Sequence, residues 1–382
     1  MKKITALLLA LLMLVGALAG CGKQNDTNKT DKLSIVTTIF PEYDWVREIL
    51  GDKADNAEVT MLLDNGVDLH SYQPTADDIV KISDCDLFVY AGGESDGWVD
   101  DALKNATNKN RKAINLLDVL GDSVKTEEVV EGMQETEHDH DHDHSKEVST
   151  FEDDEVQDRS LSDWAGDFPA DMTGEEICEH MEGHDHDEDE DHEHEEGEEH
   201  EHEEEKDEHV WLSLKNAEVL VNAISKSLQE LDPDNKDTYA TNAAAYIEKL
   251  SALDGEYQAA VDAATYKTVL FGDRFPFRYL VDDYGLSYYA AFVGCSAETE
   301  ASFETVSFLA KKMDELKLPC VLTIEGAQHK IAETIVQNTA EKNQKVLTMD
   351  SMQSTTSKDV ANGTTYLSVM EKNLSVLKEA LG

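Results

Sequence analysis

The sequence predicts an α/β protein of two lobes, each with parallel strands joined by helical crossovers, held together by a long helical region. Three observations predict it. Short β-rich runs alternate with amphipathic stretches from Lys32 onward, the same alternation resumes after Ala264, and a long apolar stripe at helical spacing lies between the two. A chain of 382 residues is also long enough for roughly two to three domains.

In order, residues 33–40 read as a strand, 43–50 as a helix, 57–63 as a strand, 75–82 as a helix and 86–90 as a strand. Parallel strands of this kind place a ligand site at their carboxyl ends. Residues 215–264 form the helical region, broken at Asp232-Pro233-Asp234, where Pro233 suits the first turn of the next helix. Beyond the break, Tyr239, Ala243, Tyr246, Leu250, Leu253, Tyr257 and Val261 recur every three or four positions. That stripe is long enough to back both lobes. The second lobe then offers strands at 268–271, 288–292, 321–324 and 346–349, with helices at 303–316, 327–340 and 365–381.

Lys2 and Lys3 precede an apolar run, 4–18, that is shorter than the ~20 residues of a membrane span and ends in small residues, so 1–20 read as an export signal. Leu18-Ala19-Gly20-Cys21 resembles the cleavage box of bacterial lipoproteins, which implies lipidation at Cys21 and a flexible tether over 21–31. The expected location is extracytoplasmic, anchored to the bacterial cell membrane. There disulfides are permitted. Cys295 and Cys320 each flank a strand-like run and are the candidate pair, whereas Cys85 reads as a buried free thiol.

The formal charge is −50, from 82 acidic and 32 basic residues. Such a charge opposes binding to nucleic acid and to anionic lipid and favours cations. Residues 122–208 hold 39 acidic and 4 basic side chains, a net of −35, which leaves −15 for the rest. A segment so poor in apolar side chains is expected to be a disordered insertion. It also holds 11 of the 14 histidines. His138, His140, His142 and His144 alternate with aspartates, and His184, His186, His192, His194, His200 and His202 recur among carboxylates. Many weak, exchanging metal contacts are expected of them. The aromatic-bearing stretch 158–168 interrupts the tract.

Outside the tract stand three histidines. His70 lies in Val67-Asp68-Leu69-His70-Ser71-Tyr72-Gln73-Pro74-Thr75, between a strand and a helix start, and His209 lies in Asp207-Glu208-His209-Val210-Trp211, where ordered sequence resumes. Both suit a site for zinc or manganese built from separated imidazoles and carboxylates. His329 reads as a surface or helix-end residue.

From about Leu33 to the carboxyl terminus, the insertion apart, the chain resembles the zinc and manganese substrate-binding lipoproteins of bacterial ABC importers, which include lipoprotein adhesins. The resemblance rests on Val36-Thr37-Thr38-Ile39-Phe40-Pro41-Glu42-Tyr43-Asp44, the His70 and His209 motifs, Tyr284-Gly285-Leu286, Glu325-Gly326-Ala327-Gln328-His329-Lys330 and Asp350-Ser351-Met352. It implies two α/β lobes and a long bridging helix, with one metal in the cleft. His70 and His209 match the first two ligands and Asp350 the carboxylate. The remaining position falls at Arg274, which cannot ligate because its guanidinium stays protonated, so the neighbouring Asp273 is the expected ligand. The implied function is capture of Zn2+, or Mn2+, and delivery to an ABC permease by a monomer, without catalysis. A metal buffer or adhesin is the alternative. A secreted zinc hydrolase is less favoured, since it needs an open coordination position with a nearby base, and no His-Glu-x-x-His pairing is present.

Overall fold

The computed structural model describes residues 32–134, 205–296, 300–326 and 329–382. The expected signal, Cys21 and its tether, Cys178, the 158–168 stretch and all the tract histidines lie outside the described residues.

The first lobe runs β1 (Leu33–Thr37), α1 (Phe40–Leu50), β2 (Ala57–Met61), α2 (Ala76–Asp84), β3 (Leu87–Tyr90), α3 (Val99–Lys104), β4 (Lys112–Asn115) and α4 (Leu116–Leu120). Its strands form a parallel sheet in the order β2-β1-β3-β4. Two helices follow the insertion, α5 (Leu214–Leu231) and α6 (Lys236–Ala263). The second lobe runs β5 (Thr268–Phe275), α7 (Arg278–Tyr284), β6 (Ser287–Val293), α8 (Phe303–Leu316), β7 (Cys320–Thr323), α9 (Lys330–Asn338), β8 (Lys345–Thr348), α10 (Ser357–Ala361) and α11 (Tyr366–Leu381). Its sheet, β6-β5-β7-β8, is also parallel and repeats the topology of the first.

Local chemistry explains the helix starts. Thr75 caps α2 by accepting from the Asp78 N–H while the Asp78 carboxylate accepts from the Thr75 N–H, so two otherwise unpaired donors are satisfied together. Glu42 does similar work at α1, its fully buried carboxylate accepting from the N–H groups of Thr38 and Ile39 at 2.8 and 3.2 Å. In β5 the register shifts between Phe271 and Arg274. Gly272 sits in that bulge, where a Cβ would lie 2.6 Å from the Ala332 Cα of α9, so only glycine permits the approach. The bulge sets Asp273 and Arg274 in the wall of the cleft.

The predicted stripe is the buried face of α6: Tyr239, Ala243, Tyr246, Leu250, Leu253, Tyr257 and Val261 are all buried. The helix packs on α5 and α1, and on α7 and α11 of the second lobe. One hydrophobic core runs through both lobes, from Ile35 and Leu87 through Trp211 and Tyr257 to Phe271 and Leu377. Directed bonds cross the same boundary. Trp211 Nε1 donates to the Ser351 carbonyl at 2.8 Å, Tyr366 Oη donates to the Trp211 carbonyl at 2.6 Å, and the Tyr366 N–H donates to Asp44 at 2.9 Å.

Two expectations need correction. The segment from 122 does not leave the fold at once. Glu127 N–H donates to the Glu205 carbonyl and Asp207 N–H to the Lys125 carbonyl, an antiparallel clasp in which Thr126 pairs with Lys206. Val124, Val130 and the buried Met133 supply apolar contacts there, and Gln134 N–H reaches the Ala291 carbonyl of β6. The ends of the insertion are thus built into the body, by apolar residues that the net charge of the whole segment hides. The second correction concerns Cys295 and Cys320, which are both free thiols. Cys320 opens β7 and Cys295 follows the end of β6, with β5 between those parallel strands, so the two lie at opposite ends of the sheet. Cys85 is buried and free, as expected.

Candidate metal centre

Apart from His209, the residues of the site stand at or beyond the carboxyl ends of strands, where a parallel sheet presents its ligand crevice. His70 stands on the single 3-10 turn Leu69–Ser71 beyond β2. Asp68 caps that turn by accepting from the His70 N–H at 3.1 Å. His209 follows the insertion and precedes the turn Val210–Leu212, which the core anchors through fully buried Val210, Trp211 and Leu212. Its ring is completely buried, whereas His70 lines an open cleft of about 810 Å³ with Asp68, Gly272, Asp273, Arg274 and Glu325. His209 therefore lies behind His70.

The two rings meet at their Nε2 atoms, 3.1 Å apart, with centroids 5.1 Å apart. Each ring is held from its other nitrogen. Asp207 Oδ1 lies 2.9 Å from both the N–H and the Nδ1 of His209, and because a carboxylate only accepts, it keeps the ring proton on Nδ1 and leaves the Nε2 lone pair facing His70. His70 Nδ1 lies 2.8 Å from the Ser95 hydroxyl and 3.8 Å from Glu208 Oε2. Glu208 is held in turn by the Ser95 N–H at 2.8 Å. Gly294 is needed beside this pair, since a Cβ there would come within 3.0 Å of His209 Cε1 and of the Phe275 carbonyl.

Facing lone pairs at this distance repel unless a proton or a cation lies between them. Burial, and then the neighbouring His209, depress the His70 imidazole to about 3. For His209 burial is the largest effect and opposes charge, but Asp207, Glu208 and Glu127 together outweigh it and raise the ring above its ordinary value. One cation is accommodated, not two. Two nitrogens bound to one tetrahedral zinc at about 2.0–2.1 Å stand about 3.3 Å apart, close to the spacing here.

Among the described residues, the group whose ligand atoms converge is His70, His209 and Cys295, all within 4.8 Å of one another. Neither Asp273 nor Asp350 joins it. Asp273 lines the cleft, but its oxygens accept from the N–H groups of Arg274 at 2.9 Å and Ile324 at 3.4 Å. Asp350 Oδ1 accepts from the Met352 N–H at 2.8 Å, capping the turn after β8. Arg274 instead reaches across the cleft, its Nη2 2.6 Å from Asp68 Oδ2 and its Nη1 donating to the Ser296 carbonyl at 3.3 Å. Against the upward push of burial, this guanidinium holds the Asp68 carboxyl below the usual carboxylate range. His329 is the N-cap of α9, a helix end as expected. Cys295 was hidden in the sequence by its apparent pairing with Cys320; its place two residues past the end of β6 was the available signal.

Fold and site together define a two-lobed α/β protein with a pair of facing imidazoles in its inter-lobe cleft. Residues 35–380 match the family described as zinc-uptake complex component A, periplasmic, and the chain belongs to that family. It is 32% identical over 379 residues to the zinc-binding lipoprotein AdcA of Streptococcus pneumoniae, covering 99% of this chain and 61% of that protein. The chain thus spans about three fifths of the length of that relative. It is 28% identical over 367 residues to the high-affinity zinc uptake system protein ZnuA of Bacillus subtilis, covering 95% and 93%. The crystal structure of the Zn(II)-bound ZnuA-like domain of S. pneumoniae AdcA aligns with a TM-score of 0.59 at 28% identity, covering 92% of this chain and 99% of that one.

Proposed function

We propose that this chain is an extracytoplasmic receptor, tethered through a lipid on Cys21, that captures a zinc ion at His70 and His209 and passes it to an ABC permease without catalysing a reaction. The observation that carries the proposal is the 3.1 Å approach of two Nε2 atoms whose opposite ring nitrogens are already engaged. Rings oriented in this way lose little freedom on binding, and a carboxylate behind an imidazole raises its basicity toward the metal. Membership of the zinc-uptake family and the 28% identity to a Zn(II)-bound domain support zinc as the cargo. Imidazole suits zinc better than manganese, which prefers oxygen donors.

The histidine tract would raise the supply of metal near this site. Residues 134 and 205, which bracket it, are fixed to β6 and to the strand-like clasp next to His209. Metal captured by its many weak imidazole and carboxylate contacts would exchange quickly. No helix among the described residues is long and apolar enough to cross a membrane. The experiment is metal analysis of protein purified without added metal, followed by zinc titration of the wild type and of His209→Ala. A single tight zinc equivalent that His209→Ala weakens by at least about 100-fold is expected. Binding capacity that disappears when 137–203 are deleted, with no tight site left, would instead make the protein a buffer.

A further inference from the structure

We infer that the Cys295 thiolate is the third protein ligand of the captured zinc, giving a two-imidazole, one-sulfur site in place of a site completed by Asp273 or Asp350. The inference rests on the receptor reading above and deepens it. Its basis is convergence: Cys295 Sγ, one ring nitrogen of His70 and one of His209 all lie within 4.8 Å of one another, and no carboxylate among the described residues completes that group. A tetrahedral zinc places nitrogen and sulfur ligands about 3.6 Å apart, given metal distances of about 2.0–2.1 Å to nitrogen and about 2.3 Å to sulfur. The ligand atoms therefore need to close by at most about 1.2 Å on binding.

The surroundings of Cys295 are built for this placement. Its N–H donates to Glu127 Oε1 at 2.8 Å, which fixes the turn to the clasp at the base of the insertion. The preceding Gly294 leaves room for the His209 ring, since a Cβ added there would lie 3.0 Å from His209 Cε1. The Ser296 carbonyl that follows accepts from Arg274, whose other nitrogen holds Asp68, the cap of the His70 turn. Arg274 is therefore a positioning residue that ties the His70 turn to the Cys295 turn. The strand end where a ligand was expected carries this bridge, and the adjacent strand end brings the sulfur. Coordination converts the thiol to thiolate: the S–H proton passes to the adjacent Glu127 carboxylate and on to water, and a sulfur lone pair forms the bond to zinc. Burial and the Glu127 carboxylate push the free thiol well up, so it stays protonated until metal arrives. A thiolate also selects zinc over manganese.

The test uses the full chain, reduced and loaded with one equivalent of zinc, and reads the ligand set by zinc X-ray absorption. One sulfur at about 2.3 Å beside two imidazoles at about 2.0–2.1 Å is expected. Cobalt(II) in the same site should show a thiolate-to-metal charge-transfer band that Cys295→Ser abolishes and Cys320→Ser and Cys178→Ser preserve, with zinc affinity falling about tenfold or more in Cys295→Ser alone. A shell of nitrogen and oxygen only, in wild-type protein whose binding still depends on His209, would overturn the sulfur ligand while leaving the receptor standing. Wild-type binding indifferent to His209→Ala would remove both. The absorption measurement needs no variant, so a Cys295→Ser chain that failed to fold would not protect the inference.

Discussion

Three partners fix His209: Asp207 at Nδ1, Gly294 beside the ring and His70 facing its Nε2. Asp207→Asn keeps the size but not the charge and can present a donor to Nδ1, so zinc affinity should fall about 10–100-fold without loss of the ligands, as read by competition against a chromogenic chelator. Arg274→Ala should produce a similar loss, because the Asp68 and Ser296 ends of its bridge both go slack; Arg274→Lys should rescue it only in part, lacking the fork. Acid should also weaken zinc binding, since the metal and protons compete for the same nitrogens, and affinity at pH 5 should lie well below that at pH 7.5. Equal affinity at the two pH values would count against imidazole ligation. At this scale His70 and His209 were legible because each is a lone histidine in an ordered motif. Their convergence was not, since it depends on contacts 139 residues apart. The backbone N–H groups that Asp273 and Asp350 accept from were likewise not legible, since they depend on the folded turns.

Among the elements, α1 and the start of α11 show how the lobes are joined. Asp44 accepts from the Tyr366 N–H, and burial, the dominant effect, raises the Asp44 carboxyl from 3.8 to about 6. The sign follows from proton uptake. Between pH 4 and 6 the folded state holds a proton on Asp44 that the unfolded state has released, so this residue makes stability fall as pH rises through that window. Asp44→Asn should flatten that slope, as measured by denaturant unfolding at pH 4 and pH 6.5, and an unchanged slope would refute the assignment. Tyr366→Phe leaves the Trp211 carbonyl without its buried donor and should cost about 1–3 kcal/mol in the same assay. The regular elements were legible where periodicity was strong, above all the α6 stripe and the runs that became β1, β3 and β5. Missed were β4, an edge strand opening on Lys112 with one buried residue, and the helices α3, α4, α7 and α10, too short to carry a period.

At the scale of the whole molecule, both described ends of the acidic, histidine-rich insertion are bonded into the body that carries the candidate site. Because one apolar core passes through both lobes, the body should unfold in a single cooperative transition, with calorimetric and van't Hoff enthalpies in agreement; two resolved transitions would mean that the lobes are independent. The charge total hid this boundary, since −35 averaged over 122–208 concealed the apolar residues of the clasp. The most direct test of the account is a zinc titration of the chain lacking 137–203, alone and with His70→Ala or His209→Ala. One zinc per chain, bound tightly and weakened by at least about 100-fold in either variant, is the predicted result. A deleted chain without a tight site, or one whose site ignores both histidines, would contradict the account.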